Sequence, residues 1–272
     1  MRRLTCLLVA PVLMAAAPAT REMTLKTPDG FTLKGTLTVP EGKGRKPVVI
    51  LAHQFRRDRT GWSDLAAELH ARGLATLALD LRGHGLSTDK AGQAVKVTDD
   101  FQASAKAVGF DQIPGDLVLA AKWVRAQRGI HPRRVGLAGS SVGAFSVLLA
   151  APQVKPYAVV ALSPAGRVAF GDKATEALTA AVRRASTAVF VMAGEKDMEA
   201  AENLKALRGL PGVHAPLGAD GDHGFAYLPK HKDTLAVFFG EYLHHPHMLS
   251  VTTSGGAAPV ASAPAAEKPL AQ

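Results

Sequence analysis

Between Arg134 and Ala150 an apolar run, a turn of small residues and a second apolar run follow one another without a break. That order calls for a buried strand, a sharp reversal and a helix, with Gly139-Ser140-Ser141-Val142-Gly143 as the reversal. It fits G-x-S-x-G, the pattern of a serine held on a strained strand-to-helix turn. A side chain raised on such a turn crowds the positions two before and two after it, so both must be nearly free of side chain. Ser141 has glycine at both positions and Ser140 does not, so the pattern singles out Ser141 as a candidate nucleophile.

The surrounding chain alternates strand-like and helix-like segments. Met23-Thr24-Leu25-Lys26 and 31–39 alternate apolar and polar residues about Thr27-Pro28-Asp29-Gly30, which predicts an antiparallel hairpin at a sheet edge. Pro47 to Ala52 is continuously apolar, as a strand covered on both faces would be. The pattern then predicts a helix over 62–72, a strand over 75–80, a helix over 116–128, and strands over 157–162 and 188–193. Helices over 200–208 and 233–244 follow, with a short last strand over 213–217 weakened by Pro216. Alternating β and α segments imply a mostly parallel central sheet with helices on both faces, an α/β fold. In such folds ligands and chemistry gather just beyond the carboxyl ends of the strands.

Three of those ends carry complementary groups. Ser141 follows one strand, Gly194-Glu195-Lys196-Asp197 another, and Gly218 to Gly224, containing His223, the last. A serine hydroxyl is a weak nucleophile until a base takes its proton, which near neutral pH is work for an imidazole. A carboxylate then holds that ring in one tautomer and stabilises the imidazolium, and the order Ser141, Asp197, His223 is one in which such triads occur. The competing readings are a solvated loop histidine and an Asp197 that caps the helix near Ala200. Glu195, Asp220 and Asp222 are rivals for the acid, but the last two neighbour His223 in sequence and are poorly placed to face its ring.

With these residues in view the chain resembles the α/β-hydrolase superfamily from about Met23 to His244. Asp80-Leu81-Arg82-Gly83-His84-Gly85-Leu86-Ser87 is similar to the loop after the fourth strand in many members. The resemblance implies an acyl-enzyme hydrolase with Ser141, Asp197 and His223 as catalytic residues and no cofactor. It implies an oxyanion hole from the Val142 N–H and a second N–H from Phe55 or Gln54. It makes His53 and His84 structural. Many members carry His-Gly where this chain has His53-Gln54, so Gln54 either restricts that loop or brings an amide near the reacting carbonyl. Dienelactone hydrolases share the fold but typically carry cysteine at the elbow. The segment 163–186 holds room for one small helix near 175–184 and no large lid, and 100–110 is a further loop over the site. An open site of this kind favours small or medium ester substrates. A peptidase or acyltransferase using the same triad, and a non-catalytic binding protein of the same fold, are the alternatives.

Composition limits the partners. The chain of 272 residues carries a formal charge of +9, but its basic residues are scattered and not interleaved with aromatics, so nucleic acid is not an expected partner. Met1-Arg2-Arg3, the apolar stretch to Ala17 and Ala17-Pro18-Ala19 read as a signal peptide over 1–19, with an uncleaved anchor as the alternative. Its removal would take away Cys6, the one cysteine, and leave no membrane insertion. A periplasmic or secreted protein is the expectation, with the folded domain over 20–248 and a disordered Ala/Pro-rich tail over 249–272. His244, His245 and His247 suit a polar helix end better than a metal site. Nothing in the chain sets the oligomeric state.

Overall fold

The computed structural model describes residues 18–218 and 222–245; the expected signal segment, Asp220, His247 and the expected tail lie outside the described residues, apart from the last two positions of the signal. The strands are β1 (Ala19–Lys26), β2 (Phe31–Val39), β3 (Lys46–Ala52), β4 (Ala75–Asp80), β5 (Asp89–Lys90), β6 (Gln93–Ala94), β7 (Ile130–Ser140), β8 (Ala158–Leu162), β9 (Ala188–Gly194), β10 (Val213–His214) and β11 (Leu217–Gly218). The helices are α1 (Ser63–Ala71), α2 (Phe101–Val108), α3 (Ile113–Arg125), α4 (Val142–Val154), α5 (Arg167–Phe170), α6 (Ala174–Ala185), α7 (Met198–Leu207) and α8 (Leu228–His244).

One sheet runs in the order β10-β9-β8-β7-β3-β4-β2-β5-β6, with β1 beside β2 and β11 beside β9. Along that order β10, β9, β8, β7, β3 and β4 pair in parallel, whereas β2 is antiparallel to β4, β1 and β5, and β5 to β6. The expected hairpin is present, its two strands in register from Ala19↔Val39 to Lys26↔Thr32. The parallel strands are covered on both sides, which is why β3 and β8 read as unbroken apolar runs. Side chains from α3, α4, α6 and α7 fill one face, while α1 and α8 cover the other around Trp62, Leu69, Phe239 and Leu243.

Several boundaries differ from those expected. Helix α3 begins at Ile113 and α8 at Leu228, each taking a proline into its first turn. There the missing N–H costs no hydrogen bond and the fixed φ suits the helix. The segment 100–110, expected as a loop, contains α2, capped by the Asp100 carboxylate on Ala103 N (2.9 Å) and ended by Gly109 at φ 75°. The last strand splits into β10 and β11 on either side of Ala215-Pro216, because proline cannot donate to the ladder. Segment 163–186 holds α5 besides the expected helix α6.

A buried cation ties the loop after β4 into this frame. Arg82, 1% exposed, forks onto Asp116 in α3 (2.7 and 2.8 Å) and Asp29 in the β1–β2 turn (2.9 and 3.2 Å). Neither charge is left unpaired, the condition on which a buried ion is tolerated.

Candidate active site

Ser141 stands between β7 and α4 at φ 54°, ψ −120°, a conformation that residues other than glycine rarely adopt. Its N–H donates to Leu162 O in β8 (2.9 Å) and its carbonyl accepts from Phe145 N (3.0 Å), so both sides of the turn are held. A Cβ at Gly139 would fall on the Gly143 carbonyl, and one at Gly143 on the carbonyls of Ala52 and His53. The two glycines of the pattern are therefore demanded by contact as well as by the turn. Val142 opens the thirteen-residue helix α4, whose N-terminal amides form an electropositive end directly beside Ser141.

Asp197 and His223 are brought together although 26 positions separate them. Asp197 Oδ2 lies 2.8 Å from His223 Nδ1. The carboxylate is mostly covered (14% exposed), while the histidine ring is open to solvent (41% exposed). Asp197 sits at the start of α7, yet its carboxylate makes no capping bond there. Among the described residues the ion pair of the ring is with Asp197, and of its rivals Glu195 is exposed while Asp220 lies outside the described residues. An acceptor-only carboxylate on Nδ1 takes that nitrogen's proton in its hydrogen bond and leaves Nε2 as the free nitrogen. Ser141 Oγ makes no hydrogen bond to the ring among the described residues.

The loop after β3 is fixed by buried histidines. His53 is fully buried; its Nε2 accepts from Leu81 N (2.9 Å), so Nδ1 carries the proton and donates to Gln54 O (2.8 Å). Burial, with His84 nearby, depresses the His53 imidazole to about 3, so it is neutral near pH 7. Arg57 N also donates to Gln54 O (3.2 Å), which orients the Gln54–Phe55 peptide and turns the Phe55 N–H the opposite way. His84, likewise lowered by burial, donates Nδ1 to Arg82 O (3.0 Å) and stacks on Phe110. The Phe55 ring packs edge-on against His84, Phe101 and Phe110, pinning this loop beneath α2. Both histidines hold loops by hydrogen bonds to backbone, the structural part that the resemblance implied for them.

The Gln54 amide does not stand free. Its Oε1 accepts from Ser140 Oγ and Phe225 N, both at 2.8 Å. Ser163 Oγ accepts from Gly224 N (2.9 Å), and Tyr227 OH donates to Asp222 O (2.9 Å). Burial, with Asp197 and Asp222 nearby, pushes the Tyr227 phenol up to about 12, so it remains a donor at neutral pH. In the segment after β8, Glu199 Oε1 caps α5 by accepting from Gly166 N (2.6 Å) and Arg167 N (2.7 Å), and Asn203 holds Pro164 O (2.9 Å). Phe170 of α5 stacks on Phe145 of α4 (5.0 Å). The exposed side chains of Leu86, Val168 and Met198 follow the carboxyl ends of β4, β8 and β9, giving that end of the sheet apolar points. Sequence patterns do not single out Ser163, Tyr227, Glu199 or Asn203; their signal is a hydrogen bond across the fold, which no spacing encodes.

No group of three His, Cys, Asp or Glu that could hold a metal ion occurs among the described residues, and His244 Nε2 lies 3.0 Å from Arg72 O. No described helix is long and apolar enough to cross a membrane.

Known proteins resemble the chain to different extents. An uncharacterized Mycobacterium tuberculosis protein is 29% identical over 154 residues, 57% of this chain and 49% of that protein, so the chain spans about half the length of this curated relative. A thiohydrolase of Aspergillus aculeatus is 25% identical over 236 residues, 85% of this chain and 67% of that one. The crystal structure of acetyl xylan esterase 1 from Thermoanaerobacterium superposes with a TM-score of 0.63 over 85% of this chain and 86% of that one, at 16% identity, a likeness of fold. The model of the family described as serine aminopeptidase, S33, matches residues 43–193, over half of the sequence and including the loop after β3 and the elbow, and the chain belongs to that family of α/β hydrolases.

Proposed function

We propose that this hydrolase is a serine carboxylesterase acting on small or medium esters through Ser141, His223 and Asp197. The observation that carries the reading is the 2.8 Å bond between His223 and Asp197, formed at the end of the sheet where Ser141 crowns its elbow. In this reading His223 Nε2 takes the Ser141 proton as Oγ attacks the ester carbonyl carbon. The carbonyl electron pair moves onto oxygen, facing the N–H groups of Val142 and Phe55, each worth about 3 kcal/mol of transition-state stabilisation. The intermediate collapses as His223 returns the proton to the departing alkoxide, leaving an acyl-serine. Water, deprotonated by the same ring, releases the acid and restores Ser141. Asp197 holds the ring in the Nδ1–H tautomer and stabilises the imidazolium between these transfers. The short α5, in place of a large lid, supports substrates of modest size. The apolar residues 4–17 and the Ala17-Pro18-Ala19 segment support export to the periplasm or beyond.

Thioesters form a second reading, favoured by the thiohydrolase match over most of the chain. The same acyl-enzyme serves both, since only the leaving group differs. A fluorophosphonate probe is expected to label Ser141, and a panel of oxygen esters, thioesters and aminoacyl amides of graded acyl length to rank the substrates. A folded protein that leaves the probe unreacted is a binding protein with a hydrolase fold, and the esterase reading then fails.

A further inference from the structure

Three consecutive peptide groups around His223 are each fixed by a side chain, two of them from distant parts of the chain. The 222–223 carbonyl accepts from Tyr227 OH, the 223–224 N–H donates to Ser163 Oγ, and the 224–225 N–H donates to Gln54 Oε1. Tyr227 is local, standing just before α8, and Ser163 stands at the end of β8. Gln54 differs from both, because its side-chain oxygen reaches 171 positions along the chain and simultaneously accepts from Ser140 Oγ at the base of the elbow. One atom thus meets the loop after β3, the residue preceding Ser141 and the loop that carries His223.

We infer that Gln54 is a positioning residue that sets the distance between His223 and Ser141 by tying the histidine loop to the elbow strand and to the loop after β3. The inference rests on the esterase reading for what the distance accomplishes, though the tie itself is a matter of geometry. The His223 ring is open to solvent, so packing alone restrains it weakly, and backbone anchors must supply the precision. Gly224 fits the same tie. It is buried at φ 56°, and a Cβ there would fall on Gln54 Oε1 and Ser140 Oγ, so the chain gives up a side chain for the close approach of that oxygen. Ser140 is fully buried, and its hydroxyl proton has its acceptor in Gln54. The glutamine in place of the glycine that many α/β hydrolases carry is therefore a replacement with a use.

The test compares Gln54→Leu, similar in size and unable to accept, with Gln54→Glu, which keeps an acceptor oxygen at the same reach. Turnover of a short-chain nitrophenyl ester is read beside amide hydrogen exchange of residues 222–227. Gln54→Leu is expected to lower kcat by roughly 10- to 100-fold, the scale of an ångström-sized misplacement, with KM moving by less than about twofold. Exchange is expected to quicken locally at Phe225 N–H, and Gln54→Glu to recover most of both. The inference is overturned by a Gln54→Leu protein that retains wild-type kcat, by unchanged exchange at Phe225, or by a general rise in exchange across the sheet. A folded Gln54→Glu protein as impaired as Gln54→Leu also counts against it. If the wild type neither labels with fluorophosphonate nor turns over ester, the esterase reading fails, and exchange at Phe225 still decides whether the tie exists.

Discussion

Asp197 Oδ2 and His223 Nδ1 lie 2.8 Å apart, joining the segment after β9 to the segment before α8. The contact commits the Asp197 carboxylate to the ring and not to the amides of α7, whose start it occupies. An asparagine in its place keeps the shape but lets the amide donate to Nδ1, which favours the wrong tautomer. Asp197→Asn is expected to lower kcat by roughly 10⁴-fold while the melting temperature stays near that of the wild type. Steady-state kinetics beside a thermal melt checks this, and near-normal turnover would remove Asp197 from the mechanism.

Ser141 holds a positive φ, a strain of order 1–3 kcal/mol that the surrounding fold must offset. Ser141→Gly relieves it and removes the proposed nucleophile. The expected outcome is a protein without esterase activity or probe labelling that is more stable than the wild type by about 1 kcal/mol. Urea unfolding measures the difference, and a Ser141→Gly protein less stable than the wild type would show that the backbone there is relaxed.

His53 makes stability depend on pH. In the unfolded chain its imidazole binds a proton below its ordinary value of 6.5, but in the fold only below about 3. Between those limits the unfolded state holds more protons, so stability falls as the pH falls through the window and is unaffected by this group above it. The slope is up to roughly 1.4 kcal/mol per pH unit. His53→Gln keeps an acceptor for Leu81 N and cannot titrate. Denaturant melts from pH 7 to pH 4 should show a shallower loss for His53→Gln than for the wild type, and parallel losses would contradict the assignment.

Arg82 and Asp116 form a buried pair whose halves are not separable. Asp116→Asn leaves the Arg82 cation, 1% exposed, short of its main counter-charge. A loss of about 3–5 kcal/mol is expected. Arg82→Met with Asp116→Leu should recover much of it, since two apolar groups replace two ions. A double variant as unstable as Asp116→Asn would mean that the site needs its hydrogen bonds more than its charge balance.

The fold is largely legible in the sequence because its signals are local. Continuous apolar runs such as Val48 to Ala52 mark strands buried on both faces, and Gly139 and Gly143 flank the one serine that a tight turn can lift. Two helices start a few residues earlier than the pattern suggests, at Ile113 and Leu228, because Pro114 and Pro229 fit inside a first turn as readily as ahead of a helix. Helix α2 escapes the pattern because it is short and its cap, Asp100, follows another aspartate in a polar stretch.

What the sequence by itself determined is the alternation of strands and helices, the identity of Ser141, and the order in which Ser141, Asp197 and His223 follow their strands. These depend on neighbours a few residues away, within reach of periodicity and turn chemistry. Only the tertiary structure decided that the Asp197 carboxylate turns to His223 and not to its helix, and that Gln54 turns to Ser140 and Phe225. Those choices are made between groups tens to hundreds of positions apart. A hydrogen bond is selected by distances of tenths of an ångström, which exist only once the sheet has brought its strand ends together.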